Sequence, residues 1–202
     1  MSYEDFKTFG DNPDIPELDE RINDIEQGEI TEDKKEKWRE VLRQIPVAIN
    51  NFYGDPVIQW ENTVEKLKNL ENSRHAGPVG IILKGKLNEV KVNDLKESKE
   101  AGLNVVCLVS ISELPQMEGT PSEHRYENIR LLNEAGVPAI AYIRPMMPPF
   151  NTSEEVIRKI FSNLEEVGCK MAVASGFRGD ESLVHKLTPD EKVEWAMRVK
   201  VM

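Results

Sequence analysis

The sequence predicts an α/β fold with a parallel sheet, on three observations. Four helix-like stretches end in a small or β-branched residue plus glycine, at Ala76-Gly77, Ala101-Gly102, Ala135-Gly136 and Val167-Gly168. Glycine just past a helix takes the left-handed conformation without a Cβ clash. Each junction leads into an apolar run: Pro78–Leu83, Leu103–Val109, Val137–Ile143 and Met171–Ala174, with Pro46–Ile49 before them. Near-continuous Val/Ile/Leu/Ala runs are strands covered on both faces, and their recurrence about every 30 residues with helices between is the signature of βα units. Polar residues then gather where each run ends: Asn51 to Asp55, Lys84, Ser110 and Ser112, Arg144, Ser175 and Arg178. Ligands bind at that end of the strands in parallel α/β folds.

Taken in order, residues 1–30 are rich in Asp, Glu, Pro and Asn, with scattered apolar residues and no sustained period, and form an acidic arm. The barrel segment is residues 31–202. Thr31 caps a helix to about Gln44, with Trp38, Val41, Leu42 and Ile45 on one face. A second helix, about Glu61–Arg74, turns Val64, Leu67 and Leu70 inward. A third, about Val90–Glu100, is weakly patterned and exposed. Thr152-Ser153-Glu154-Glu155 and Thr188-Pro189-Asp190-Glu191 are capping-box starts of two later helices, the first with Val156, Ile157, Ile160, Phe161 and Leu164 inward. Leu114–Ser122 is a longer loop at the ligand end, and Pro145, Pro148 and Pro149 stiffen another.

Such a sheet is either doubly wound or a partial barrel. A doubly wound dinucleotide site calls for Gly-x-Gly-x-x-Gly after the first strand, whereas this chain has Tyr53-Gly54-Asp55-Pro56 there. Serial polar strand ends around one mouth predict a partial, TIM-like (β/α) barrel of about five βα units.

The net charge of −10, with Lys and Arg dispersed among acids, argues against a broad nucleic-acid footprint but leaves room for a local basic pocket for an anionic small molecule. No run approaches a membrane span and no secretory signal is recognisable, so a cytoplasmic location is expected. Of the two cysteines, Cys107 lies within a strand and reads as inert packing. His75, His124 and His185 share no metal-ligand spacing, so no metal site is expected from them.

Asn50-Asn51-Phe52-Tyr53-Gly54-Asp55-Pro56 resembles the Gly-Gly-Glu-Pro segment that ends the second strand of radical SAM enzymes. Lys84, Ser110-Ile111-Ser112, His124-Arg125-Tyr126-Glu127-Asn128, Ile143-Arg144-Pro145 and Ser175-Gly176 follow in that family's order, most similar to the spore photoproduct lyase-like branch. The resemblance covers about residues 31–200, the second to sixth units of a (β/α)6 partial barrel. It implies that Gly54, Asp55 and Pro56 hold the amino group of S-adenosylmethionine and that Lys84 or Arg125 pairs with its carboxylate. It further implies that Ser110 or Ser112 reaches the ribose, and that Arg144 and Ser175 border adenine or substrate. The family also carries a [4Fe–4S] cluster on Cys-x3-Cys-x2-Cys, a triplet this sequence lacks. The expectation is therefore a fragment or degenerate form that binds S-adenosylmethionine weakly, its cluster-bearing segment lying upstream or on another chain. An uncovered sheet edge would then favour self-association.

Two other readings stand beside it. One is a non-catalytic module for a nucleotide-like ligand or a partner; the other is a Schiff-base lyase or aldolase using Lys84. Individual residues also have plain structural readings. Asp55 can cap the segment after Pro56, Arg125 can pair with Glu127 or an i+4 neighbour on a helix surface, and Ser175-Gly176 can be a turn.

Overall fold

The computed structural model describes residues 31–49, 55–114, 122–148 and 150–176. The acidic arm, Gly54, most of the Leu114–Ser122 loop, Arg178 and the helix expected after Thr188 lie outside them.

Helices and strands alternate as α1 (Glu32–Gln44), β1 (Val47–Ile49), α2 (Trp60–Asn72), β2 (Pro78–Leu83), α3 (Glu89–Glu100), β3 (Asn104–Ile111), α4 (Glu123–Glu134), β4 (Ala139–Met146), α5 (Glu154–Glu166) and β5 (Ala172–Gly176). The five parallel strands form one sheet in the order β1-β2-β3-β4-β5, the sequential order of a partial (β/α) barrel. β1 pairs with β2 in the register Val47↔Val79 to Ile49↔Ile81. β4 pairs with β5 from Ala141↔Ala172 to Met146↔Gly176, with an irregularity after Ile143. Among the described residues no helix is long and apolar enough to cross a membrane.

The chain packs as two compact units, Met1–Leu108 with Glu134–Pro138, and Val109–Asn133 with Ala139–Met202. In the first, Val79, Ile81 and Leu83 of β2 and Val105 and Cys107 of β3 are fully buried, as are Leu67 of α2 and Leu95 of α3. The alternate residues, Gly80, Ile82, Val106 and Leu108, are half-exposed. Period 2 thus separates a sealed face from a more open one, and Lys84 continues the open series past the end of β2. In the second unit, Ala141 and Ile143 are buried with Ile129, Leu132, Ile160 and Leu164 of the helices, while Ile140, Tyr142 and Arg144 are half-exposed.

Gly102, Gly136 and Gly168 take left-handed φ values of 106°, 73° and 68°, as helix-ending glycines should. Gly77 does not. After α2 the left-handed residue is Arg74, at φ 56°, while the amides of Ala76 and Gly77 both donate to the Arg43 carbonyl at 2.7 and 2.9 Å. A Cβ on Gly77 would stand 2.5 Å from the Gln44 carbonyl oxygen and 2.6 Å from that of Ile45. This glycine permits close approach of two backbones, a different use of the missing side chain.

The inward faces are narrower than periodicity suggests. Val41 is 52% exposed and Phe161 is 54% exposed, though Leu42, Ile45, Val156 and Ile157 are half-buried. Trp38, expected beside Val41, lies outside the described side chains. α3 buries Val92, Leu95 and Ser98, more than its weak pattern predicted.

Candidate functional site

The residues named from sequence fall into the two units. Asp55, Pro56 and Lys84 belong to the first; Ser110, Ser112, Arg125, Arg144 and Ser175 belong to the second.

In the first unit the Asp55 carboxylate is a backbone clamp. Oδ1 accepts the Val57 amide at 2.8 Å, and Oδ2 accepts the amides of Lys84 and Gly85, the latter at 2.7 Å. An acid after β1 thereby gathers the first amides past β2, holding two strand ends together with charge-assisted hydrogen bonds. Pro56 is buried, and its carbonyl accepts the Thr63 hydroxyl at 3.0 Å. The Lys84 residue is exposed, with its main chain fixed by Asp55. Gly85 sits close to Val57, where a Cβ would come within 3.0 Å of the Val57 Cβ. A separate groove of about 430 Å³ is lined by helix residues alone, Trp60, Glu61, Val64, Glu65, Lys68 and Asp94. There the Trp60 indole N–H donates to Asp94 at 2.7 Å.

The second unit carries the denser arrangement. The Cys107 amide donates to the Pro138 carbonyl at 2.9 Å, which aligns Cys107 with Ala139 and, along regular strands, Ser110 with Tyr142. On the far side of β4, Tyr142 is in register with Val173 and Ile143 with Ala174, bringing Ser175 level with the Arg144-Pro145 segment. Side chains two apart on a strand share a face. The Arg144 guanidinium accordingly lies over the Tyr142 ring, 4.3 Å from its centroid. At that distance the contact is a cation–π interaction. The Arg144-Pro145 peptide is cis.

Asn151, which sequence reading passed over, frames this rim. Its Oδ1 accepts the Met147 amide at 2.6 Å, while Nδ2 donates to the Ser112 carbonyl at 2.6 Å and the Pro145 carbonyl at 2.7 Å. One fully buried carboxamide ties the ends of β3 and β4 to the loop that follows. A polar residue two positions after Pro149 was the available signal.

Arg125 is not on a helix surface. It is 2% exposed and its Nη1 donates to the Ser110 carbonyl at 3.0 Å; the surface pair of α4 is Arg130 with Glu127. The Ser112 hydroxyl accepts the Leu114 amide at 3.3 Å. The Ser110 hydroxyl is wholly buried and has no hydrogen-bond partner among the described residues. Glu113, at a left-handed φ of 51°, accepts the Tyr126 hydroxyl at 2.8 Å and the Lys159 ammonium at 2.9 Å. Burial pushes the Glu113 carboxyl up, but hydrogen bonds from Lys159, Tyr126 and Ser122 outweigh it and hold the group below the usual carboxylate range. Burial and the same carboxylate push the Tyr126 phenol well up, and Glu113 raises Lys159.

Cysteine chemistry does not suit a cluster. Cys107 is fully buried, and desolvation pushes its thiol up to about 12, so it is no thiolate ligand at neutral pH. Cys169, the other cysteine, follows α5 and its Sγ lies 3.2 Å from the Met171 carbonyl oxygen. Among the described residues no group of three His, Cys, Asp or Glu could hold a metal ion.

No protein-family model and no curated relative matches the chain. Solved structures similar to it include a protein assigned as a dihydrodipicolinate synthetase from Pseudomonas aeruginosa. That likeness has 19% identity and a TM-score of 0.39, covering 80% of this chain and 54% of that one. The carboxyl transferase domain of Rhizobium etli pyruvate carboxylase, with pyruvate and biocytin, is similar at 16% identity and a TM-score of 0.35, covering 77% of this chain and 27% of that one. The chain spans about half the length of the first and about a quarter of the second.

Proposed function

We propose that this chain is a (β/α)-barrel domain that binds an anionic small molecule at the C-terminal ends of its strands, with Arg144 as the anchor. The observation that carries this reading is the Arg144–Tyr142 contact at the end of β4, level with Ser175. A guanidinium suits a carboxylate or phosphate acceptor, which is what supports this reading. Titration calorimetry with short carboxylates and Arg144→Gln tests it. Binding that Arg144→Gln weakens tenfold or more supports the anchor; undiminished binding removes it.

Two alternative chemistries stand beside this reading, each on its own residues. The first is the lyase or aldolase alternative, in which the Lys84 amine condenses with a substrate carbonyl, expelling water to give an imine. It is favoured by the Asp55 clamp, which fixes the lysine backbone at the end of β2. Borohydride reduction in the presence of a 2-oxo acid would leave a secondary amine on Lys84, detectable by mass, and no adduct would remove this chemistry.

The second follows the sequence resemblance, in which Lys84 or Arg125 pairs with the carboxylate of S-adenosylmethionine and Arg144 borders adenine or substrate. When bound in that family, the cofactor on its cluster supplies a radical. The two cysteines do not fit a [4Fe–4S] cluster, so no radical step is derived for this chain. Without iron to chelate the ligand, affinity for S-adenosylmethionine is expected on the order of 0.1–1 mM. The three donors already on Asp55 leave its carboxylate in a structural role, so it is not assigned to the amino group.

A further inference from the structure

The groove of about 430 Å³ between α2 and α3 takes no part in the anion-binding reading. Its apolar lining is Trp60 and Val64, both half-buried and one turn apart on α2. The Trp60 ring is held in place, its N–H on Asp94 at 2.7 Å and the Lys91 ammonium 5.7 Å from its centroid. That ammonium is itself taken by the Val57 carbonyl at 2.8 Å. On α3, Val90 lies one turn before Asp94 and is 67% exposed, which lengthens the apolar surface. The rest of the lining is charged: Glu61, Glu65 and Asp94 against Lys68. Glu61 stands in the first turn of α2, where it complements the helix N-terminus. Glu65 has no such role. Carboxylates four apart on a helix repel each other, and among the described residues neither Glu61 nor Glu65 has an ion-pair partner.

We propose that this groove docks a basic amphipathic helix of a partner protein, with an apolar side chain on Trp60 and Val64 and lysine or arginine against Glu61 and Glu65. The charges choose the partner: an acidic groove repels acidic segments and rewards a cation that relieves the Glu61–Glu65 repulsion. The spacing chooses the helix, since the two carboxylates are about 6 Å apart along α2 and match cations on successive turns of a second helix. Trp60 is the anchor, being a large ring whose position is fixed before the partner arrives. The inference stands on α2 and α3 alone and is independent of Arg144.

The test uses the full chain and three tryptophan-free peptides of about four helical turns. One is a leucine/lysine amphipathic helix, one has glutamate in place of lysine, and one has serine in place of leucine. The leucine/lysine peptide is expected to bind and to blue-shift tryptophan emission, a shift that Trp60→Phe abolishes; the other two should not bind. Charge reversal by Glu61→Lys with Glu65→Lys should weaken binding about tenfold or more without moving the unfolding midpoint. Glu165→Lys with Glu166→Lys, an equal reversal on exposed positions of α5, should change it less than about twofold. Equal losses in the two double variants would reduce the binding to attraction by the net charge of −10 and overturn the proposal. So would a serine/lysine peptide that binds as tightly, or a leucine/lysine peptide that does not bind. A dimer in sedimentation that Glu61→Lys with Glu65→Lys dissociates would give the groove to a second copy of the chain, which also overturns it.

Discussion

Asp55 and Lys84, 29 positions apart in sequence, are joined by the carboxylate of the first and the main-chain amide of the second. The functional residue expected at each position is therefore also a structural one. Asp55→Ala removes the acceptor of three backbone amides and is expected to cost about 2–4 kcal/mol, with Asp55→Asn costing less because one oxygen remains. Lys84→Ala leaves the clamp intact and should change stability little. Urea unfolding of the three variants measures this ordering, and an Asp55→Ala as stable as Lys84→Ala would contradict it.

Glycine substitutions should separate two uses of the residue. Gly77→Ala drives a methyl into the carbonyls that end α1 and is expected to cost more than 2 kcal/mol. Gly102→Ala, whose new Cβ meets nothing within 4 Å, should cost only about 1 kcal/mol for the left-handed backbone. Chemical denaturation of the pair checks the difference.

Acid should destabilise the protein in two stages. His75 is 6% exposed, and burial lowers its pKa from 6.5 despite a hydrogen bond to the Ile45 backbone. The unfolded chain then binds the proton first, and stability falls as pH drops below about 6.5 towards the folded value. Glu113 has the same sign: its folded pKa lies below 4.5, so its contribution is present above that pH and is lost as pH falls through the lowered value. Unfolding free energy against pH should lose its upper limb in His75→Gln and its lower limb in Glu113→Gln. Lys159 acts in the opposite direction, its stabilisation fading as pH rises above its ordinary value of 10.5, modestly because the side chain is 61% exposed.

Thiol titration should resolve the two cysteines. Cys169 is partly exposed and should react with an aromatic disulfide reagent in the native protein. Cys107, buried and held as a thiol, should react only on unfolding. Two equally fast thiols would place Cys107 wrongly.

Strand positions were legible because the signal is local: Pro78–Leu83 is apolar throughout and bounded by glycine and lysine, and β2 has those limits. Gly102, Gly136 and Gly168 were legible for the same reason. Gly77 was misread because the contact that requires it, with Gln44 and Ile45, is distant in sequence. Arg125 illustrates the same limit. An arginine among Glu, His and Asn on a helix is a surface residue by pattern, and only the strand end beneath it makes it a buried donor to Ser110. At the rim, polar residue types were readable, but the pairing of Tyr142 with Arg144 needed the strand parity that only a correct β4 boundary supplies. Asn151 carries no periodic signal, since its partners are carbonyls whose positions depend on the tertiary fold.

That carboxamide has a consequence for how the rim can change over evolutionary time. Asn151 works as a strut of fixed length: it sets the gap between two strand ends through main-chain atoms, which every residue type possesses. The side chain at position 112 can therefore be exchanged without removing this tie. The same economy creates a single weak point. Deamidation of Asn151 would turn its donor into an acceptor facing two carbonyls and force the strand ends apart, although the chain would differ by about one mass unit and carry an intact Arg144.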